Sequence, residues 1–245
     1  TNTMVTSGSS VIAATALVDI TDGSFASTSA TIAATSLSGI GGKTTGAVTL
    51  QNKVRIEGTQ SEVTTALIGD SSVVANETNT EARVTDAVDV SEGSTIGAVT
   101  KIQGIFAGGV SDSLSNLASG GNTDSKLNTI TGDHSDVAIT ISDGTFASTS
   151  ATLSATDLSA VGGSTTGAVT VTQAVKIVGA ASDLTNTLVT GSSSVTASTA
   201  LVDITDGTFA STSATIAATA LGDIGAKTSG AVTVTKAVKI VGAAS

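Results

Sequence analysis

Residues 168–172 read Ala-Val-Thr-Val-Thr, and residues 201–205 read Leu-Val-Asp-Ile-Thr. In both, Val or Ile alternates with Thr or Asp. That two-residue period belongs to a half-buried strand, apolar side inward and hydroxyl or carboxylate side outward. A second strand is predicted in residues 174–179, where Val175 and Ile177 share one face and Lys176 and Val178 the other. Residues 182–189 place Leu184 and Leu188 four apart behind Ser182 or Asp183, either of which can cap, so a short helix is predicted there. Residues 211–224 carry Ile216, Ala217, Ala220, Leu221 and Ile224 in a helical stripe. Ser and Thr are poor helix formers, so packing must hold it. Gly207 and Gly230 read as turns between segments.

These segments recur. Residues 1–58 align without a gap on residues 185–242, with about 41 of 58 positions identical. The phrase Phe-Ala-Ser-Thr-Ser begins at Phe25, Phe146 and Phe209; the last two lie 63 residues apart and the first two 121, close to twice that. Repetition at a fixed period means stacked units that share one core. The expected architecture is a repeat protein: a β-rich solenoid of parallel strand ladders with short helices or turns between strands. It has about 31 residues per coil and about 63 per double unit. Strands of successive coils would pair at about 4.8 Å, giving a rod on the order of 40 Å from eight coils. Separate globular domains are the rival reading, disfavoured because about 63 residues without disulfides make a marginal core.

The expected organisation is a repeat region at residues 1–58 that starts mid-repeat and a divergent acidic unit at 59–142. Repeat units at 143–205 and 206–245 follow, the last ending mid-repeat. The divergent unit keeps traces of the pattern at Leu67, at residues 97–100 and at residues 137–141. It carries over half of the 20 acidic residues and the single His, and its Gly108-Gly109 and Gly120-Gly121 pairs read as loops. Thr1 is equivalent to Thr185 and Ser245 to Ser182, so the two ends are in phase. A window from a longer chain is the preferred reading. A subunit that stacks head to tail is the alternative. The expected partner is in either case a copy of the same repeat.

Composition removes several function classes. There is no Cys, so neither a thiol nucleophile nor a thiolate metal site exists. A net charge of −10, with 10 basic residues and no Trp or Tyr, argues against nucleic acid. No apolar run approaches the ~20 residues of a membrane span. Ser and Thr make up almost a third of the chain, beside abundant Val, Ile, Leu and Ala that can bury a core.

The candidate metal ligands are Asp133, His134 and Asp136, with Asp124 nearby in sequence, because two carboxylates and an imidazole suit a cation. A solvated polar turn is the competing reading. The repeated Asp-Ile-Thr-Asp-Gly at 19–23 and 203–207, with Ile-Ser-Asp-Gly at 141–144, suggests Asp-Gly turns after strands; a carboxylate ladder for calcium is the alternative. Thr170 with Thr172 and Thr233 with Thr235 would project outward, but Asp203, Thr49 and Gln51 break any flat Thr array of the ice-binding kind. A serine triad would need His134 as its base, and no Gly-x-Ser-x-Gly is present. No catalytic or cofactor-binding residues are assigned.

Residues 202–218 and 228–242, the latter Thr-Ser-Gly-Ala-Val-Thr-Val-Thr-Lys-Ala-Val-Lys-Ile-Val-Gly, resemble the low-complexity Ser/Thr/Ala/Val repeats of very large secreted surface proteins of cyanobacteria and other aquatic bacteria. The resemblance covers about three quarters of the chain and fails in the divergent unit. It implies an extracellular, cell-surface location and a non-enzymatic structural role in a filament, surface layer or giant adhesin. The alternatives are a receptor- or glycan-binding fibre segment, with binding in the divergent unit, and a solenoid enzyme acting on polysaccharide.

Overall fold

The two-residue apolar period is answered by short parallel strands. In the computed structural model residues 14–23, 30–69, 73–75, 78, 80–191 and 195–243 are described. The first Phe-Ala-Ser-Thr-Ser phrase and the matched chain ends lie outside the described residues. The chain is an α/β protein of several parallel sheets and short helices, with no closed barrel among the described residues. It divides into two units, Thr1–Val110 with Gly132–His134, and Ser111–Thr131 with Ser135–Ser245. The division falls inside the divergent stretch.

In the first unit, β1 (Val18–Ile20) is followed by β2 (Thr31–Ala33) and α1 (Ala34–Gly41), then β3 (Val48–Leu50) and β4 (Arg55–Gly58). Next come α2 (Gln60–Thr64), which runs into a π turn (Thr65–Gly69), β5 (Val73–Ala75), β6 (Thr80–Val84), α3 (Val90–Gly97) and β7 (Ile102–Phe106). β1, β3 and β5 form one parallel sheet; β2, β4, β6 and β7 form another. The chain therefore alternates between two sheets. Val48, Leu50, Ile56, Leu37 and Ile40 are buried, so strands and helices contribute to one core. Outside, Arg55 pairs with Glu81 at 2.7 Å and Arg83 with Glu57 at 3.3 Å, crosswise between β4 and β6.

The second unit repeats the plan. It takes in β8 (Val110–Asp112) from Ser111 on, α4 (Leu114–Leu117), β9 (Ala118–Ser119), β10 (Asn122–Thr123), α5 (Ser125–Asp133) up to Thr131, β11 (Ile139–Ile141), α6 (Phe146–Thr149) and β12 (Thr152–Ser154). Then follow α7 (Ala155–Ser164), β13 (Val169–Val171), β14 (Lys176–Gly179), α8 (Ala181–Leu188), β15 (Val195–Thr196) and β16 (Leu201–Ile204). The unit ends with α9 (Phe209–Thr212), β17 (Thr215–Ala217), α10 (Ala218–Gly225), β18 (Val232–Val234) and β19 (Lys239–Val241). β11, β13 and β15 pair in one parallel sheet, β12, β14, β16 and β18 in a second, and β17 with β19 in a third.

β11 through β15 are five strands, and they alternate between two sheets. Five is odd, so β16, the equivalent of β11 one repeat later, opens in the sheet of β12 and β14. Each repeat thus moves one sheet along. This differs from two equal coils of about 31 residues. Paired strands lie 30 residues apart at Ile139 and Val169, 26 at Val169 and Val195, 24 at Thr152 and Lys176, and 22 at Thr80 and Ile102. The difference arises because some connections carry a helix of eight to ten residues and others only a tight turn.

Three local expectations are corrected. The stripe at 211–224 is not one helix: α9, β17 and α10 divide it, with Ile216 on the strand. Ser213 takes a left-handed conformation at φ 53°, which ends α9, and Thr215-Ile216-Ala217 then extends. Neither Ser182 nor Asp183 caps α8, whose N-cap is Ala180 with no side-chain hydrogen bond. The trace at 97–100 is no strand; Gly97 ends α3 and β7 starts at Ile102. Gly120 and Gly121, both at positive φ, do form a loop, a two-residue turn joining the antiparallel pair β9 and β10.

Candidate functional site

The chemistry-bearing side chains are spent on joining one strand or helix to another. The clearest case is Thr-Thr/Ser-Gly before the third strand of each repeat. Thr165 Oγ1 donates to the Val137 carbonyl at 2.7 Å and accepts from Gly167 N–H at 2.9 Å. Thr44 does the same with the Ala16 carbonyl and Gly46 N–H, and Thr228 with the Ala200 carbonyl and Gly230 N–H. The next residue adds a backbone bond: Thr45 N–H to Ala14, Thr166 N–H to Ser135, Ser229 N–H to Ser198. Glycine is required at the third position. A Cβ on Gly167 would lie 2.3 Å from the Asp136 carbonyl oxygen, and on Gly230 2.2 Å from that of Ala200. These latches went unrecognised in the sequence. Their signal was present as Thr-Thr-Gly and Thr-Ser-Gly recurring at repeat spacing.

The Asp-Gly turns also have a structural task. Asp206 Oδ2 accepts from Ala181 N–H at the start of α8 at 2.7 Å. Asp143 accepts from Leu114 N–H at the start of α4 at 2.7 Å. Asp86, in an Asp-Ala sequence, likewise accepts from Gln60 N–H at the start of α2 at 2.7 Å, beside that helix's local cap. A helix start leaves backbone N–H groups unpaired and carries partial positive charge, so a carboxylate there is favourable. The cap thus arrives from 25 to 29 residues further along the chain rather than from the local Ser or Asp. Only α2 and α3 have complete local capping boxes, Thr59 with Glu62 and Asp89 with Glu92, among the described helices.

Asp133 and His134 meet the outer edge of β7. Gly104 N–H donates to Asp133 Oδ2 at 2.9 Å, and Phe106 N–H to His134 Nδ1 at 3.1 Å. Gln103 Nε2 donates to the Asp133 carbonyl at 3.0 Å. In the regular repeats the equivalent third strands take another strand there: β3 pairs with β5 and β13 with β15. Here two side chains stand in for that strand and satisfy its edge. With Nδ1 accepting, the proton of the neutral ring sits on Nε2. Burial raises the Asp133 carboxyl above its ordinary value, and the Gly104 hydrogen bond lowers it part of the way back.

Asp136 lies in the turn whose backbone faces Gly167. Asp124 precedes α5, where its Oδ1 accepts from Lys126 N–H at 2.8 Å. No group of three His, Cys, Asp or Glu side chains placed to hold a metal occurs among the described residues. A groove of about 690 Å³ in the second unit is lined by Thr166, Leu188, Val195, Thr196 and Lys227, without a carboxylate or imidazole. It provides no acid–base pair. No described helix is long and apolar enough to cross a membrane.

No protein-family model, curated protein or solved structure matches this chain.

Proposed function

We propose that the chain is a non-enzymatic structural repeat module, a β-solenoid segment of an extracellular filament, surface layer or giant surface protein, with copies of itself as partners. The observation that carries this reading is the triple recurrence of one latch. Thr44, Thr165 and Thr228 each bind a carbonyl 28 residues back in the chain and the Gly N–H two residues ahead. A residue kept for substrate would present its polar atoms to solvent. Here the repeated hydroxyls and carboxylates serve the neighbouring turn of chain, which is what a scaffold needs. The Ser- and Thr-rich exterior keeps such a scaffold solvated.

Electron microscopy of native material, with antibody labelling of intact cells, tests this. Surface-located filaments or sheets built from the repeat are the expected result. Soluble intracellular particles, or hydrolysis of any polysaccharide in a standard panel, would overturn it.

A further inference from the structure

Two strand edges of this chain carry, residue for residue, the two halves of a joint that also exists inside it. The internal joint is β14 against β16, in parallel register with Lys176 opposite Leu201, Ile177 opposite Val202, Val178 opposite Asp203 and Gly179 opposite Ile204. The two sequences are Lys-Ile-Val-Gly and Leu-Val-Asp-Ile. Both occur once more in identical form, at residues 239–242 and 17–20. Those copies sit on terminal strands: β19 ends the sheet it makes with β17, and β1 ends the sheet it makes with β3 and β5.

Burial differs between the internal joint and these two edges. Ile177 is fully buried in the internal joint, whereas its equivalent Ile240 is 54% exposed. Leu17 is 79% exposed and Val241 41%. These three are among only five large apolar side chains exposed among the described residues. A fourth, Phe209, stacks with Lys239 beside the same edge. Isolated apolar side chains on a surface need no explanation, but matched ones on two complementary edges do.

Charge and backbone geometry agree as well. In the internal joint Lys176 Nζ lies 3.0 Å from Asp203 Oδ2 and 4.2 Å from the centre of the Phe146 ring. Lys239 keeps the ring contact, at 5.6 Å from Phe209, and the equivalent carboxylate is the exposed Asp19. Leu201 N–H donates to Val175 and Thr205 N–H to Gly179, while Val202 N–H turns to the other side, to Ala231. β1 has the same polarity: Val18 N–H donates to the carbonyl of Ala47, just before β3, which leaves the Leu17 side of the strand for a new neighbour.

We infer that the β19 edge binds the β1 edge of a second copy of this chain by parallel strand addition, with Lys239 opposite Leu17, Ile240 opposite Val18, Val241 opposite Asp19 and Gly242 opposite Ile20. This rests on the structural-module reading above and specifies its contact. The two surfaces differ, so the contact is heterologous and each added copy offers a fresh edge. Lys239 gains Asp19 as its ion-pair partner, and Ile240 becomes buried as Ile177 is.

The chain has no Cys, which makes cross-linking a clean probe. Full-length Asp19→Cys and Val241→Cys proteins are mixed under mild oxidation, with Asp19→Cys plus Lys239→Cys as the out-of-register control. Directly opposed parallel residues lie within disulfide range and residues two positions off do not, so the 19–241 mixture is expected to cross-link about tenfold faster. Sedimentation of the unmodified chain is expected to show mass growing with concentration. Lys239→Glu is expected to weaken that growth severalfold, and Lys239→Glu with Asp19→Lys to restore it. Equal cross-linking in both mixtures, or a monomer at all concentrations, overturns the inference. In that case filaments in native material would still uphold the structural-module reading, and their absence would remove that reading too. All three sites are exposed, so unchanged melting curves show that the variants fold.

Discussion

At the residue scale, function and stability meet in Thr165 and Asp133. Thr165 is 8% exposed, and its one hydroxyl serves both the Val137 carbonyl and Gly167 N–H. Thr165→Val keeps the shape and removes both bonds, leaving a buried donor and acceptor unanswered. Such a loss costs about 1–3 kcal/mol, and Thr165→Ser is expected to recover most of it in urea melts. For Asp133 the folded carboxyl holds its proton more tightly than the unfolded one. Its contribution to stability is therefore fullest in acid, below the ordinary carboxylate range, and is lost as pH rises through the raised folded value. Asp133→Asn keeps an oxygen acceptor with no charge to bury. It is expected to be at least as stable as the parent at neutral pH and to flatten the acid-range slope. Asp133→Ala leaves Gly104 N–H without its acceptor and is expected to cost about 1–3 kcal/mol at neutral pH.

At the element scale, α8 depends on a carboxylate from the following repeat. Asp206→Ala is expected to destabilise the second unit by about 0.5–2 kcal/mol, the usual loss of a helix cap, with hydrogen exchange rising first in Ala181–Leu188. Since Asp86, Asp143 and Asp206 already accept backbone N–H groups, the melting temperature is expected to be unchanged by chelator. Gly230→Ala would drive a Cβ into the Ala200 carbonyl, so it is expected to loosen β18 from β16 and to lower cooperativity.

The strands were legible in sequence because burial on one face imposes a two-residue period whatever surrounds it. Val169–Val171, Lys176–Gly179 and Leu201–Ile204 all fall inside the segments so predicted. Helix α8 was legible through Leu184 and Leu188, both buried. What escaped was non-local. The caps on α4 and α8 come from 29 and 25 residues away, and no local rule finds them. Residues 211–224 misled because Ile216 and Ala220 satisfy helical spacing, while Ser213 at positive φ breaks the helix between α9 and β17. The cluster at 133–136 had ligand composition, yet its role follows from a strand that β7 lacks, which sequence periodicity does not reveal.

At the scale of the whole molecule, the account holds that one joint is used repeatedly, within the chain and between copies. In the divergent stretch the joint lapses at β7, where Asp133 and His134 satisfy the strand edge in place of a further strand. The most direct test is cryo-electron microscopy of assemblies formed by the purified chain. The account predicts filaments in which parallel strands continue across each subunit boundary at about 4.8 Å, with Lys239–Val241 opposite Leu17–Asp19. Discrete particles of fixed mass, or filaments whose boundary lacks that strand pairing, would contradict it.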